Sequence, residues 1–246
     1  MELSFWARTS GTWINVATIL AGAGVGVLLR HRLPIAMQQV ITQAVGLLTL
    51  VIGFDMTRSF GAVEAGPIDG VILGLLAMVV GGLLGEWGQV EKRLIALGDV
   101  LKAQVKGGGK FTEGFVAASL LFCIGPMAIL GSLNNGLAGD HALLALKAVM
   151  DGCAAIALTG SYGIGVAFSA LTVMMVQGAL SLLASSLATV IPDPVNDPHI
   201  LLTTGIGGMM ILGLGLSLLE VAKVRVASFL PALALGPIVV AIARYL

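Results

Sequence analysis

From Gly152 to Pro192 the chain carries no Asp, Glu, Lys, Arg or His, and Ile200 to Leu219 is equally bare. These runs constrain the fold more than any other feature. A helix that crosses a bilayer needs about 20 consecutive apolar residues, and a soluble domain cannot bury several such runs in succession. Gly70 to Gly85 is also free of charge, and Ala227 to Ala243 is interrupted only by prolines. The runs are continuous rather than alternating, which excludes a membrane barrel. Charged residues make up 11% of the 246, apolar residues 57%, and the mean hydropathy is +1.02. A soluble domain carries about 25% charged residues, so this chain has too few to cover a globule. The expected fold is all-α, a polytopic membrane helical bundle.

Eight apolar segments can be drawn: Thr12 to Leu29, Gln38 to Met56, Gly70 to Gly88, Phe115 to Leu133, Ala142 to Tyr162, Gly165 to Val190, Ile200 to Leu219 and Ala227 to Leu246. Breakers separate them, among them Pro34, Gly66-Pro67, Asn134-Asn135-Gly136 and Pro192-Asp193-Pro194. Lys and Arg gather on the cytoplasmic side of short loops. Here they follow the first segment (Arg30, Arg32), the third (Lys92, Arg93, Lys102, Lys106, Lys110) and the seventh (Lys223, Arg225). That alternation is consistent with eight crossings and both termini outside. It requires Ala142 to Tyr162 to cross fully; a re-entrant segment there is the alternative. The chain reads as a single transmembrane domain, with residues 89–112 a cytoplasmic amphipathic and basic connection continuing the third segment. No cleavable signal peptide is expected, because Glu2 and Arg8 lie within the first ten residues.

A faint internal echo accompanies these segments. Gly46 and Gly53 in the second match Gly208 and Gly215 in the seventh, and the same step carries Asn15 of the first onto Gln177 of the sixth. Segments one to three would then correspond to six to eight in opposite orientation, a possible 3+3 inverted repeat of the kind many transporters use.

Phe122-Cys123-Ile124-Gly125-Pro126, Asn135-Gly136-Leu137-Ala138-Gly139-Asp140, Lys147-Ala148-Val149-Met150-Asp151-Gly152 and the opening Gly11-Thr12-Trp13-Ile14-Asn15 resemble the DUF554 family of bacterial multi-pass membrane proteins. The resemblance extends over nearly the whole chain. It implies a bacterial cytoplasmic-membrane location and, loosely, a transporter, but supplies no reaction.

Lys147 and Asp151 are the leading site candidates. They stand four residues apart within an apolar segment, which puts them on one helix face. A charge inside a bilayer costs at least about 2.5 kcal/mol and marks a functional candidate. With a rise of 1.5 Å per residue, Asp151 would lie roughly 13 Å below the outer end of its segment. The pair can serve a solute or ion, or it can be a structural ion pair. Asn15 and Gln177 place amides inside crossing helices, for interhelical bonding or for solute contact. Glu86, near the inner end of the third segment, and Asp55, near the outer end of the second with Arg58 in reach, are candidate mouth residues or interfacial ion pairs. Asn134-Asn135-Gly136 reads as a helix cap and turn.

Cys123 and Cys153 read as small packers, the three histidines are dispersed, and no metal site, cofactor motif or nucleic-acid partner is expected. No catalytic constellation is present, so an enzyme is not expected. The best functional expectation is a secondary transporter or channel for a small cationic or zwitterionic solute. A scaffold or sensor acting through a cytoplasmic partner is the alternative. The partners are the lipid bilayer and that solute or ion, and the glycine-rich helices are compatible with a homo-oligomer.

Overall fold

The computed structural model describes residues 3–30, 34–105, 108–188 and 196–244. His31, Arg32, Lys106 and the Pro192-Asp193-Pro194 turn lie outside them. The described residues form helices α1 (Phe5–Arg30), α2 (Ile35–Thr57), α3 (Gly70–Trp87), α4 (Val90–Gln104), α5 (Phe111–Cys123), α6 (Pro126–Ala138), α7 (Ala142–Tyr162), α8 (Ser169–Ala188), α9 (Pro198–Leu218) and α10 (Leu230–Ala243). No strand occurs among them.

Among the described residues, seven helical stretches are long and apolar enough to cross a membrane, and an eighth span results if α5 and α6 are counted as one. These two meet at a 61° bend. The break comes where Ile124 and Gly125 leave the helix and Pro126 opens the next one. The expected continuous segment Phe115 to Leu133 is therefore two helices. Ala142 to Tyr162 is one unbroken helix long enough to cross, so the irregularity lies in the fourth segment, not the fifth. The connection after the third segment also differs from expectation: α4 is a separate helix from α3, after Gln89 at φ 51.

Helix α3 is inside-out by soluble standards. α3 turns Gly70, Leu73, Gly74, Ala77, Gly81 and Gly85 inward and leaves Val71, Ile72, Leu75, Val79 and Leu83 exposed. Small residues allow helices to approach closely, while large apolar ones face lipid. Caps follow the sequence at several ends. Asp69 accepts the N–H of Val71 at 2.7 Å and Asp197 that of His199 at 2.8 Å. Gly139, at φ 71, closes α6.

Contacts divide the chain into two compact units: residues 1–45 with 95–192, and residues 46–94 with 193–246. In the first, α1 runs parallel to α7, with Gly11 against Leu144, Gly22 against Gly152 and Gly26 against Ile156. α1 runs antiparallel to α8, with Arg8 on Leu182 and Asn15 on Gln177. In the second, the rest of α2 packs antiparallel to α9, and α3 packs antiparallel to α10.

Candidate functional site

The buried face of α7 repeats at helical spacing through Leu144, Lys147, Ala148, Asp151, Gly152, Ala155 and Leu158. Both charges thus lie on the stripe packed against α1. The two backbones are nearly touching, since a Cβ on Gly22 would stand 2.3 Å from the carbonyl oxygen of Gly152. This proximity lets the short side chain of Asn15 reach across. Its Nδ2 donates to Asp151 Oδ2 at 2.9 Å and to Gln177 Oε1 at 3.3 Å. The ammonium of Lys147 donates to the same carboxylate oxygen, and to the backbone carbonyl of Phe122 at 2.7 Å. The two charged side chains are only 8% and 10% exposed.

The Phe122 carbonyl follows directly from the sequence of the break. In a continuous helix it would accept the N–H four residues on. That residue is Pro126, which has none. The last turn of a helix also carries partial negative charge, so the end of α5 attracts a cation. Lys147 supplies it.

Several polar atoms nearby have no hydrogen-bond partner among the described residues. They are Asn15 Oδ1, Gln177 Nε2, Thr12 Oγ1, Ser132 Oγ and Ser181 Oγ, all effectively buried. Thr12 and Asn15 are one turn apart on α1, as are Gln177 and Ser181 on α8. Ser132 belongs to the turn of α6 that meets both helices: Asn135 Oδ1 accepts the N–H of Gly11 at 2.9 Å, and Gly136 lies against the carbonyl of Ser181. A buried polar group without a partner costs free energy. These atoms therefore suit a polar group that supplies a donor to Asn15 and an acceptor to Gln177. With Lys147 and Asp151 paired, the site has no net charge.

Four of the six expected residues, Asn15, Lys147, Asp151 and Gln177, are thus in one hydrogen-bonded cluster. Glu86 and Asp55 are not part of it and lie in the other unit. Glu86 Oε1 accepts from Arg225 at 2.6 Å and Oε2 from Ser228 at 3.4 Å, with side-chain exposures of 51% and 68% for the charged pair. Asp55 is 3.6 Å from Arg58, both highly exposed. These are surface ion pairs of the protein. No group of three or more His, Cys, Asp or Glu placed to hold a metal occurs among the described residues, and both cysteines are free.

Two clamps were missed. Asn135 does not form a turn, because α6 continues to Ala138 and the left-handed cap is Gly139. Its amide bridges a turn of α1, donating to the Ala7 carbonyl at 3.0 Å while accepting from Gly11. Arg8 donates to the carbonyls of Gly136 at 3.2 Å and Leu182 at 2.7 Å. A buried asparagine spaced one turn from Ser132 was the available signal; the Asn-Asn-Gly turn pattern masked it.

Fold and site together define a polytopic helical membrane protein with an ion pair and two amides buried among its helices. The chain belongs to the family described as "Protein of unknown function (DUF554)", which matches residues 10–241. It is 30% identical over 231 residues to the uncharacterized membrane protein YdfK of Bacillus subtilis (strain 168), covering 94% of this chain and 95% of that one. It is 28% identical over 235 residues to the uncharacterized protein YqgA of Escherichia coli (strain K12), covering 92% and 94%. No solved structure matches the chain.

Proposed function

We propose that this chain is a secondary transporter, or a channel, for a small cationic or zwitterionic solute, in the cytoplasmic membrane of a bacterium. The observation that carries the reading is the buried cluster at the α5–α6 break, with Asn15 Oδ1 and Gln177 Nε2 left unpartnered beside an ion pair. Broken spans that end on free carbonyls beside buried polar side chains are how transporters build solute and ion sites. Asp151 would receive the positive end of the solute, and Gln177 with the hydroxyls of Thr12 and Ser181 its polar remainder.

What supports an inverted repeat is reciprocity across the pairs that the 162-residue step exchanges. Asn15 and Gln177, separated by 162, hydrogen-bond to each other. In the other unit, a Cβ on Gly53 would meet the carbonyl of Gly208 at 2.9 Å, and one on Gly215 that of Gly46 at 3.2 Å. Leu212 lies against Gly53 as Leu50 lies against Gly215, and Leu219 against Gly46 as Thr57 against Gly208. Any two antiparallel helices have a local two-fold; here it also exchanges Gly46 with Gly208, Leu50 with Leu212 and Gly53 with Gly215. The duplicated halves would carry opposite orientations, with both termini outside. An inactive C-terminal alkaline phosphatase fusion would overturn that orientation.

The function is tested by thermal shift of the purified protein and of an Asp151→Asn variant against amino acids, polyamines and simple cations. A ligand at a hundred times its dissociation constant stabilises the folded state by about 2.7 kcal/mol. A ligand that shifts the wild type and not the variant supports the reading. No shift from any of these classes, with no uptake into loaded vesicles, removes it.

A further inference from the structure

The hydrogen bonds around Lys147 describe a binding site already occupied by a tethered ligand. An ammonium has three N–H donors and no acceptor. That of Lys147 spends one on the Asp151 carboxylate and one on the Phe122 carbonyl, the latter at 2.7 Å. Asn15, bonded to the same carboxylate oxygen at 2.9 Å, keeps its own Oδ1 without a partner. The carboxylate and the carbonyl end of α5 are acceptors for a cation with N–H bonds, and the Asn15 amide holds the carboxylate in place. Pro126 is the reason the site exists, because it denies the Phe122 carbonyl a helical donor. Lys147 reaches the site from the preceding turn of the helix that carries Asp151, on a flexible stem.

We propose that Asp151, the Phe122 carbonyl and Asn15 form a primary-ammonium site that Lys147 fills in the absence of ligand, so that a solute bearing a free amino group binds by displacing the lysine ammonium. The exchange adds one positive charge to the cluster unless the displaced lysine ammonium is itself paired, so a solute that also carries a carboxylate, which can take that ammonium, keeps the cluster neutral. A quaternary amine has no N–H bonds and is rejected. The inference rests on the transporter reading for its biological use, but its binding chemistry stands apart from transport.

The test is chemical rescue. Lys147→Ala removes the side chain beyond Cβ, leaving space of the size and shape of propylammonium. Purified wild type, Lys147→Ala and Lys147→Ala/Asp151→Asn are melted in detergent with methyl-, ethyl-, propyl- or butylammonium at constant ionic strength, with tetramethylammonium and sodium as controls. Propylammonium is expected to restore at least half of the midpoint lost in Lys147→Ala, saturably, with no effect on the double variant and none from either control. Absence of rescue by every primary ammonium, equal rescue by tetramethylammonium or sodium, or rescue that persists in the double variant overturns the proposal. If Lys147→Ala cannot be purified, the three proteins are solubilised with and without propylammonium. Recovery of folded Lys147→Ala only with the amine supports the site; recovery of the double variant but of Lys147→Ala under neither condition overturns it. Rescue can succeed even if the chain transports nothing, and a failed solute screen leaves the rescue result standing.

Discussion

Lys147→Met and Asp151→Asn, made singly and together, separate a buried charge cluster from a neutral one. Removing one partner of a buried ion pair costs about 3–5 kcal/mol, and these side chains are 8% and 10% exposed. The two single variants are not equivalent. Asp151→Asn leaves the ammonium its bond to the Phe122 carbonyl at 2.7 Å, which places the loss near the lower end, about 3 kcal/mol. Lys147→Met leaves the carboxylate only the Asn15 amide at 2.9 Å and also strips the Phe122 carbonyl of its donor. An orphaned buried carbonyl adds about 1–3 kcal/mol, so this loss is the larger. The double variant has no buried charge and a single orphaned carbonyl, for about 1–3 kcal/mol in total. It should therefore be more stable than Lys147→Met, a non-additivity typical of contacting residues. Reversible unfolding in mixed micelles, followed by tryptophan fluorescence, measures all four proteins. The reasoning fails if the double variant loses the sum of the single losses. It fails equally if either single loss is below about 1 kcal/mol, the range of exposed pairs.

Pro126→Ala restores an N–H four residues after Phe122, giving that carbonyl a helical partner and drawing Lys147 out of competition for it. The variant should fold, and its response to any solute that stabilises the wild type should fall at least tenfold in apparent affinity; an unchanged response would detach the break from the site. Gly22→Ala and Gly24→Ala form a matched pair two residues apart. A Cβ at Gly22 meets the Gly152 carbonyl at 2.3 Å, whereas nothing lies within 4 Å at Gly24. The first should cost about 1–3 kcal/mol from overpacking, and the second should be neutral or gain up to about 1 kcal/mol from helix propensity, measured by the same unfolding assay.

Much of the site was legible because its signals are chemical and periodic. A lysine and an aspartate one turn apart in an apolar run announce a buried pair, and the step that matched glycines also linked Asn15 to Gln177, which are now seen to bond directly. Hydropathy could not show the break at Ile124 and Gly125, since it averages over a window and the break changes no polarity. Yet Pro126 alone identifies the freed carbonyl by counting back four residues. Asn135 was hidden for a different reason. Asn-Asn-Gly favours a turn locally, but the amide's three bonds to α1 hold the helix on to Ala138, so tertiary contact overrides local preference. Glu86 and Asp55 were readable as charges near helix ends, while their arginine partners settle them as surface pairs.

The bond from Asn15 to Asp151 spans 136 residues of sequence, and this separation sets a clock on biogenesis. At a synthesis rate of roughly 5–20 residues per second, Asp151 emerges about 7–27 seconds after Asn15. Gln177 follows later still. During that interval the first helix has neither of its amide's partners, and its glycine stripe has no backbone to lie against. Wherever the nascent helix resides, it carries that amide without these partners until α7 arrives. Assembly of the first unit is therefore timed by its late helices, and the earliest segment to be made is among the last to find its place.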